Sequence, residues 1–157
     1  MLLRLIFILF LGLIVVAHGT AQKVKRVKKP DLEGYWFGIG TEDISLRERP
    51  KFDYELQLRI IGDKVEGFSI TTLTIDGQKY VAKAKIAGEL HDNYFKCRET
   101  ENYYEERLPS NGGWIPFDRI ELILRKKGEN CTLEGLYEVE GGKYFGRLKL
   151  EKTPPRV

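Results

Sequence analysis

Phe52-Asp53-Tyr54-Glu55-Leu56-Gln57-Leu58-Arg59-Ile60 alternates five apolar side chains with four polar ones. A period of two gathers each class on its own face of an extended chain, whereas a helix would scatter both around its circumference. The stretch therefore predicts a strand with one dry face and one wet face. The pattern recurs downstream. Tyr80, Ala82, Ala84, Ile86, Gly88 and Leu90 share one parity, with Lys83, Lys85 and Glu89 on the other, and Ile120, Leu122 and Leu124 face away from Arg119, Glu121, Ile123 and Arg125. Gly62-Asp63, Asp76-Gly77, Lys127-Gly128-Glu129-Asn130 and Gly141-Gly142 separate such runs with residues that suit tight hairpins. The runs are Lys51 to Ile61, Lys64 to Ile75, Gln78 to Leu90, Phe117 to Lys126, Cys131 to Val139 and Tyr144 to Leu150, and Leu32 to Ile39 with Tyr94 to Glu99 completes eight predicted strands.

No segment carries a persuasive helical stripe, so the expected class is all-β with sequential hairpins. Eight strands with one dry face each bury those faces by closing into an antiparallel up-and-down β-barrel or by splitting into a two-sheet β-sandwich. Closure also removes exposed edges, and the barrel is the expected form. A membrane-spanning barrel needs an apolar outer band. Lys83, Lys85, Glu121, Arg125, Lys149 and Glu151 on the wet faces oppose that reading.

The chain has 157 residues, and its first 21 read MLLRLIFILFLGLIVVAHGTA: a basic Arg4, an apolar run from Leu5 to Ala17, then small residues. This is the pattern of a secretory signal peptide, and the apolar run is too short for a transmembrane helix. Cleavage is expected near Thr20 or Gln22, and a secreted or periplasmic location follows. Residues 22–30 read as a basic linker holding Lys23, Lys25, Arg26, Lys28 and Lys29, residues 31–152 as one barrel domain, and 153–157 as a tail. From Asp31 onward 20 Lys and Arg face 23 Asp and Glu, so the body is mildly acidic. The basic arm suits weak contact with an anionic surface, and an exported protein has no expected nucleic-acid partner.

At Gly34-Tyr35-Trp36 the chain resembles the lipocalin and avidin group of up-and-down barrels, whose first strand carries a Gly-x-Trp signature. The resemblance implies that Gly34 is a close-approach position and that Trp36 plugs one end beneath a ligand cavity. Many lipocalins also lay a basic residue of the last strand against the Trp. Arg147 is the candidate on that strand, though Tyr144, Gly146, Leu148 and Leu150 take the inward parity and leave it outside. The chain is also similar in pattern to small exported barrel proteins of Bacteroidetes.

Catalytic signals are sparse. His91 beside Asp92 has no Ser or Cys near it in a recognisable motif, and His91, Cys97 and Cys131 are too few for a structural metal site. Neither metal nor cofactor is expected. Glu99, Glu101, Glu105 and Glu106 form an acidic group before a loop, the alternative being a hydrolase built on paired carboxylates. Cys97 and Cys131, the two cysteines, are expected to form a disulfide in an oxidising compartment, provided the strand between them begins late or curves away. The aperiodic stretch TENYYEERLPSNGGWIP, Thr100 to Pro116, is expected to fold over one end of the barrel.

Small residues on the dry faces, Ala82, Ala84, Gly135 and Gly146, leave room for a cavity. Its expected lining is Trp36, Tyr54, Tyr80, Trp114, Tyr137 and Tyr144, with Ser69 or Thr71 if their strand keeps parity. The expected function is non-catalytic binding of a small apolar or amphipathic ligand. The alternative is an interaction or envelope-associated module with a filled core, meeting an extracytoplasmic protein through Tyr103, Tyr104 and Phe117.

Overall fold

The computed structural model describes residues 28–42, 51–109 and 113–154. The expected signal at 1–21, linker residues 22–27 and tail residues 155–157 lie outside the described residues. Eight strands follow one another around a closed barrel, every neighbouring pair antiparallel: β1 Gly34–Glu42, β2 Lys51–Ile61, β3 Lys64–Ile75, β4 Gln78–His91, β5 Tyr94–Glu105, β6 Phe117–Lys127, β7 Asn130–Val139 and β8 Tyr144–Thr153. β8 pairs back with β1, so the up-and-down barrel forms rather than the sandwich.

The alternation seen in the sequence sets the interior. Leu56, Leu58, Val65, Ile86, Leu122, Leu124, Leu133, Leu148 and Leu150 point inward and fill one half of the barrel, each contributing about 1.5–3 kcal/mol by leaving water. Lys85, Arg125, Lys149 and Glu151 stand exposed on the outer wall. No helix among the described residues is long and apolar enough to cross a membrane. Asp76-Gly77, with φ of 51° and 79°, makes the two-residue turn between β3 and β4 that its sequence predicts.

One end of the barrel is plugged. Lys28–Pro30, placed in the linker by sequence, run into a helical turn, α1 Lys29–Leu32, whose Leu32 is fully buried. Trp36 lies buried beneath it and donates its Nε1–H to the Leu32 carbonyl at 2.8 Å. Lys152 of β8 sits over the Trp36 ring, 5.7 Å from its centroid, and donates to the Asp31 carbonyl at 2.8 Å. The Asp31 carboxylate pairs with Lys126, which holds its pKa below the usual range with help from the Lys28 N–H.

Three departures from strict alternation shape the other end. Thr100 and Tyr103 are bulged residues of β5, since Glu99 and Glu101 face the consecutive Ile86 and Lys85, and Asn102 and Tyr104 the consecutive Ala84 and Lys83. Asp118 bulges from β6 in the same way. The β5–β6 ladder is confined to Tyr94–Cys97 against Ile120–Ile123, so the two strands part toward the mouth.

The expected disulfide does not form. Cys97 and Cys131 are both buried free thiols. Cys97 is level with Ile120 on the intervening strand, whereas Cys131 is level with Lys126. Six residues of β6 separate these levels, about 20 Å along the strand, which no bridge spans.

Candidate functional site

Where β5 and β6 part, the barrel is hollow, and a cavity of about 320 Å³ opens at its mouth. Inward-facing Ser69 and Thr71 on β3 and Ala82 and Ala84 on β4 make the space, because nothing longer stands at those positions. Gly135 and Gly146 do not contribute as expected. A side chain at Gly146 would run into the Tyr137 ring, and one at Gly135 into the Glu121 carbonyl, so both glycines serve close packing. Gly40 gives way to Phe52 in the same manner.

The facing wall is aromatic. Phe117 stacks on Tyr137 with centroids 4.4 Å apart and on Tyr54 at 5.4 Å, and Phe52 meets Tyr137 edge-on at 5.7 Å. Phe117 was expected on an outer interaction surface, but it is buried. The Asp118 bulge is the reason: it lets Phe117 and Ile120, of opposite parity, both face inward. Of the stretch from Thr100 to Pro116, residues 100–105 belong to β5, and Leu108, Gly113, Trp114 and Ile115 lie at the mouth. Trp114 donates its Nε1–H to the Glu106 carbonyl at 2.7 Å, Asn102 reaches the Trp114 carbonyl at 3.3 Å, and Leu108, Trp114 and Ile115 line the cavity.

Glu99 of β5 also lines the cavity, level with Ile86 and nine-tenths buried. Its Oε1 accepts hydrogen bonds from Ser69 Oγ at 2.6 Å and Tyr54 Oη at 2.9 Å. Its Oε2 accepts from the Phe117 N–H at 2.8 Å, which stitches the seam where the β5–β6 ladder has ended. Burial raises the Glu99 pKa above the usual carboxyl value, against the lowering effect of these three donors. Burial, then the Glu99 charge, pushes the Tyr54 hydroxyl and the Cys97 thiol well up. Among the described residues no Lys, Arg or His lines the cavity, whereas Glu42, Glu99 and Glu140 do.

The sequence-derived candidates are thus divided. Trp114, Tyr137 and Tyr144 line the cavity, as do Ser69 and Thr71. Tyr54 reaches it through its bond to Glu99. Tyr80 is half-buried on β4 outside the lining, and Trp36 lies at the plugged end. Tyr103 and Tyr104 are exposed on the outer wall, Tyr103 edge-on to Phe68 at 5.5 Å and Tyr104 beneath Lys83. The acidic group is dispersed: Glu101 pairs with Lys85 outside at 2.7 Å, and Glu106 accepts from the Val81 N–H at 2.9 Å. His91 is exposed, 3.3 Å from Glu89 and near the plugged end. No cluster of metal-ligating side chains occurs among the described residues.

Sequence reasoning missed Glu42 and Lys152. Glu42 continues the parity of Trp36, Gly38 and Gly40, and Lys152 that of Leu148 and Leu150, so the same alternation that was read elsewhere points to both. Lys152, not the outward Arg147, is the basic residue of the last strand that lies against Trp36. No protein-family model matches the chain, and no curated protein matches it.

Proposed function

We propose that this protein is an exported, non-catalytic binder of a small amphipathic molecule, held in the open end of the barrel beneath the Trp114 segment. The observation that carries the reading is the mouth cavity of about 320 Å³, with aromatic rings on one wall and Ser69, Asn102 and Glu99 as polar handles on the other. That combination of apolar wall and few convergent polar groups is what small-molecule sites have in common. The likeness to lipocalin-type barrels supports it: Gly34 takes φ 120°, which side chains rarely adopt, and Trp36 closes the end opposite the cavity. A second reading, docking of an extracytoplasmic protein, rests on the exposed Phe68, Tyr103 and Tyr104 of the outer wall.

The neutral fluorophore N-phenyl-1-naphthylamine tests the first reading. Its emission should rise saturably at one molecule per chain with a Kd of about micromolar order, and Ala84→Leu, which fills the cavity, should weaken binding about tenfold. Saturable emission that Ala84→Leu leaves untouched, or no emission change at all, would overturn it.

A further inference from the structure

We infer that the guest is a monocation: a small amine whose protonated nitrogen seats against Glu99 and whose apolar body lies along the aromatic wall. The inference rests on the binding reading above and deepens it.

Charge is the first argument. The cavity presents Glu42, Glu99 and Glu140 and, among the described residues, no cationic side chain. Glu140 is balanced by Lys143 at 3.0 Å on the exposed rim. Glu99 forms no ion pair among the described residues, and a carboxylate this deep is costly without an opposite charge. Glu42 lies close enough that its charge, after burial, raises the Tyr137 hydroxyl. A guest bearing a carboxylate would add like charge to this field, whereas an ammonium group would neutralise it.

Hydrogen-bond geometry is the second. A carboxylate offers four acceptor positions, and three are occupied by Ser69, Tyr54 and the Phe117 N–H. Two of these donors meet Oε1 and one meets Oε2, so the free position is on Oε2. An ammonium, with donors and no acceptor, matches it, whereas a carbonyl or ether oxygen finds no donor there. The rings are the third argument. Phe52, Phe117 and Tyr137 line the same space and give the guest's apolar body a surface to pack against beside the carboxylate. Together these features select a protonated alkyl or arylalkyl amine over an alcohol of equal length and over a fatty acid.

Competition against bound N-phenyl-1-naphthylamine at neutral pH, with n-octylamine, octan-1-ol and octanoate, separates the outcomes. The wild-type protein should prefer octylamine over octanol by about tenfold or more, with octanoate weakest. In Glu99→Gln the amine-to-alcohol ratio should fall toward about one, and in Glu42→Gln it should fall by a smaller factor. Equal affinity for amine and alcohol in the wild type, a preference for octanoate, or an amine preference that survives in folded Glu99→Gln would overturn the inference. If Glu99→Gln does not fold, the wild-type order and Glu42→Gln decide. Failure of the fluorophore itself to bind would instead defeat the parent reading.

Discussion

At Glu99 the cost of placing a carboxylate inside a barrel is offset by donors from Ser69, the Phe117 backbone and Tyr54, yet burial still prevails and the pKa stays raised. The native state therefore holds this proton more tightly than the unfolded chain does. Between the ordinary value of 4.5 and the raised native value, folding binds a proton, so stability falls as pH rises across that window. Asp31, held low by Lys126, acts in the opposite sense and lower on the pH scale, since its contribution is lost as acid protonates it. Tyr54 and Cys97, the titratable neighbours of Glu99, are pushed up and stay protonated throughout. Urea unfolding from about pH 4 to 8 should show this decline in the wild type and a flatter profile in Glu99→Gln. Parallel profiles would contradict the assignment. Sequence alone placed Glu99 among four acidic residues of one group. Strict alternation gives Glu99 and Glu101 the same face, and the bulge at Thr100, invisible in composition or spacing, sends Glu101 outward to Lys85.

Among the elements, the strands were legible because each buries one face against a shared interior, which enforces period two. β2 and β3 have the bounds that alternation and the turn residues predict. β5 is longer than expected, reaching Glu105, because its bulges absorb the aperiodic residues into a ladder with β4. Phe117 was misplaced by the same kind of irregularity in β6, and Cys97 and Cys131 because register, rather than strand order, decides which residues meet across a sheet. The plug at the closed end is built from α1, β1 and β8, and Lys152 binds them together through the Pro30 and Asp31 carbonyls and the Trp36 ring. Lys152→Met should lower unfolding stability by about 1–3 kcal/mol through the lost charged hydrogen bonds. Affinity for N-phenyl-1-naphthylamine should be unchanged, because Lys152 lies at the end away from the cavity. A loss of stability well under this range would show that Lys152 does not hold the plug, and a parallel loss of binding would show that the two ends are not built independently.

At the largest scale the described residues form a barrel closed all around, solid and plugged at one end, hollow and split between β5 and β6 at the other. Alternation predicts closure but does not say whether the interior is filled, since that depends on which small and large residues face one another in three dimensions. Gly40 and Gly146 are matched by Phe52 and Tyr137, while Ala82 and Ala84 are not matched, and the cavity lies beside them. The two tryptophans mark the two ends, Trp36 bonded to Leu32 under the plug and Trp114 bonded to Glu106 over the mouth. Their indole N–H signals in a nitrogen-15 correlation spectrum, followed while octylamine or octan-1-ol is added, report directly on where a guest sits. Binding at the mouth predicts that the Trp114 signal moves saturably while that of Trp36 stays in place. Two stationary signals up to millimolar-order concentrations, or movement of Trp36 alone, would contradict it.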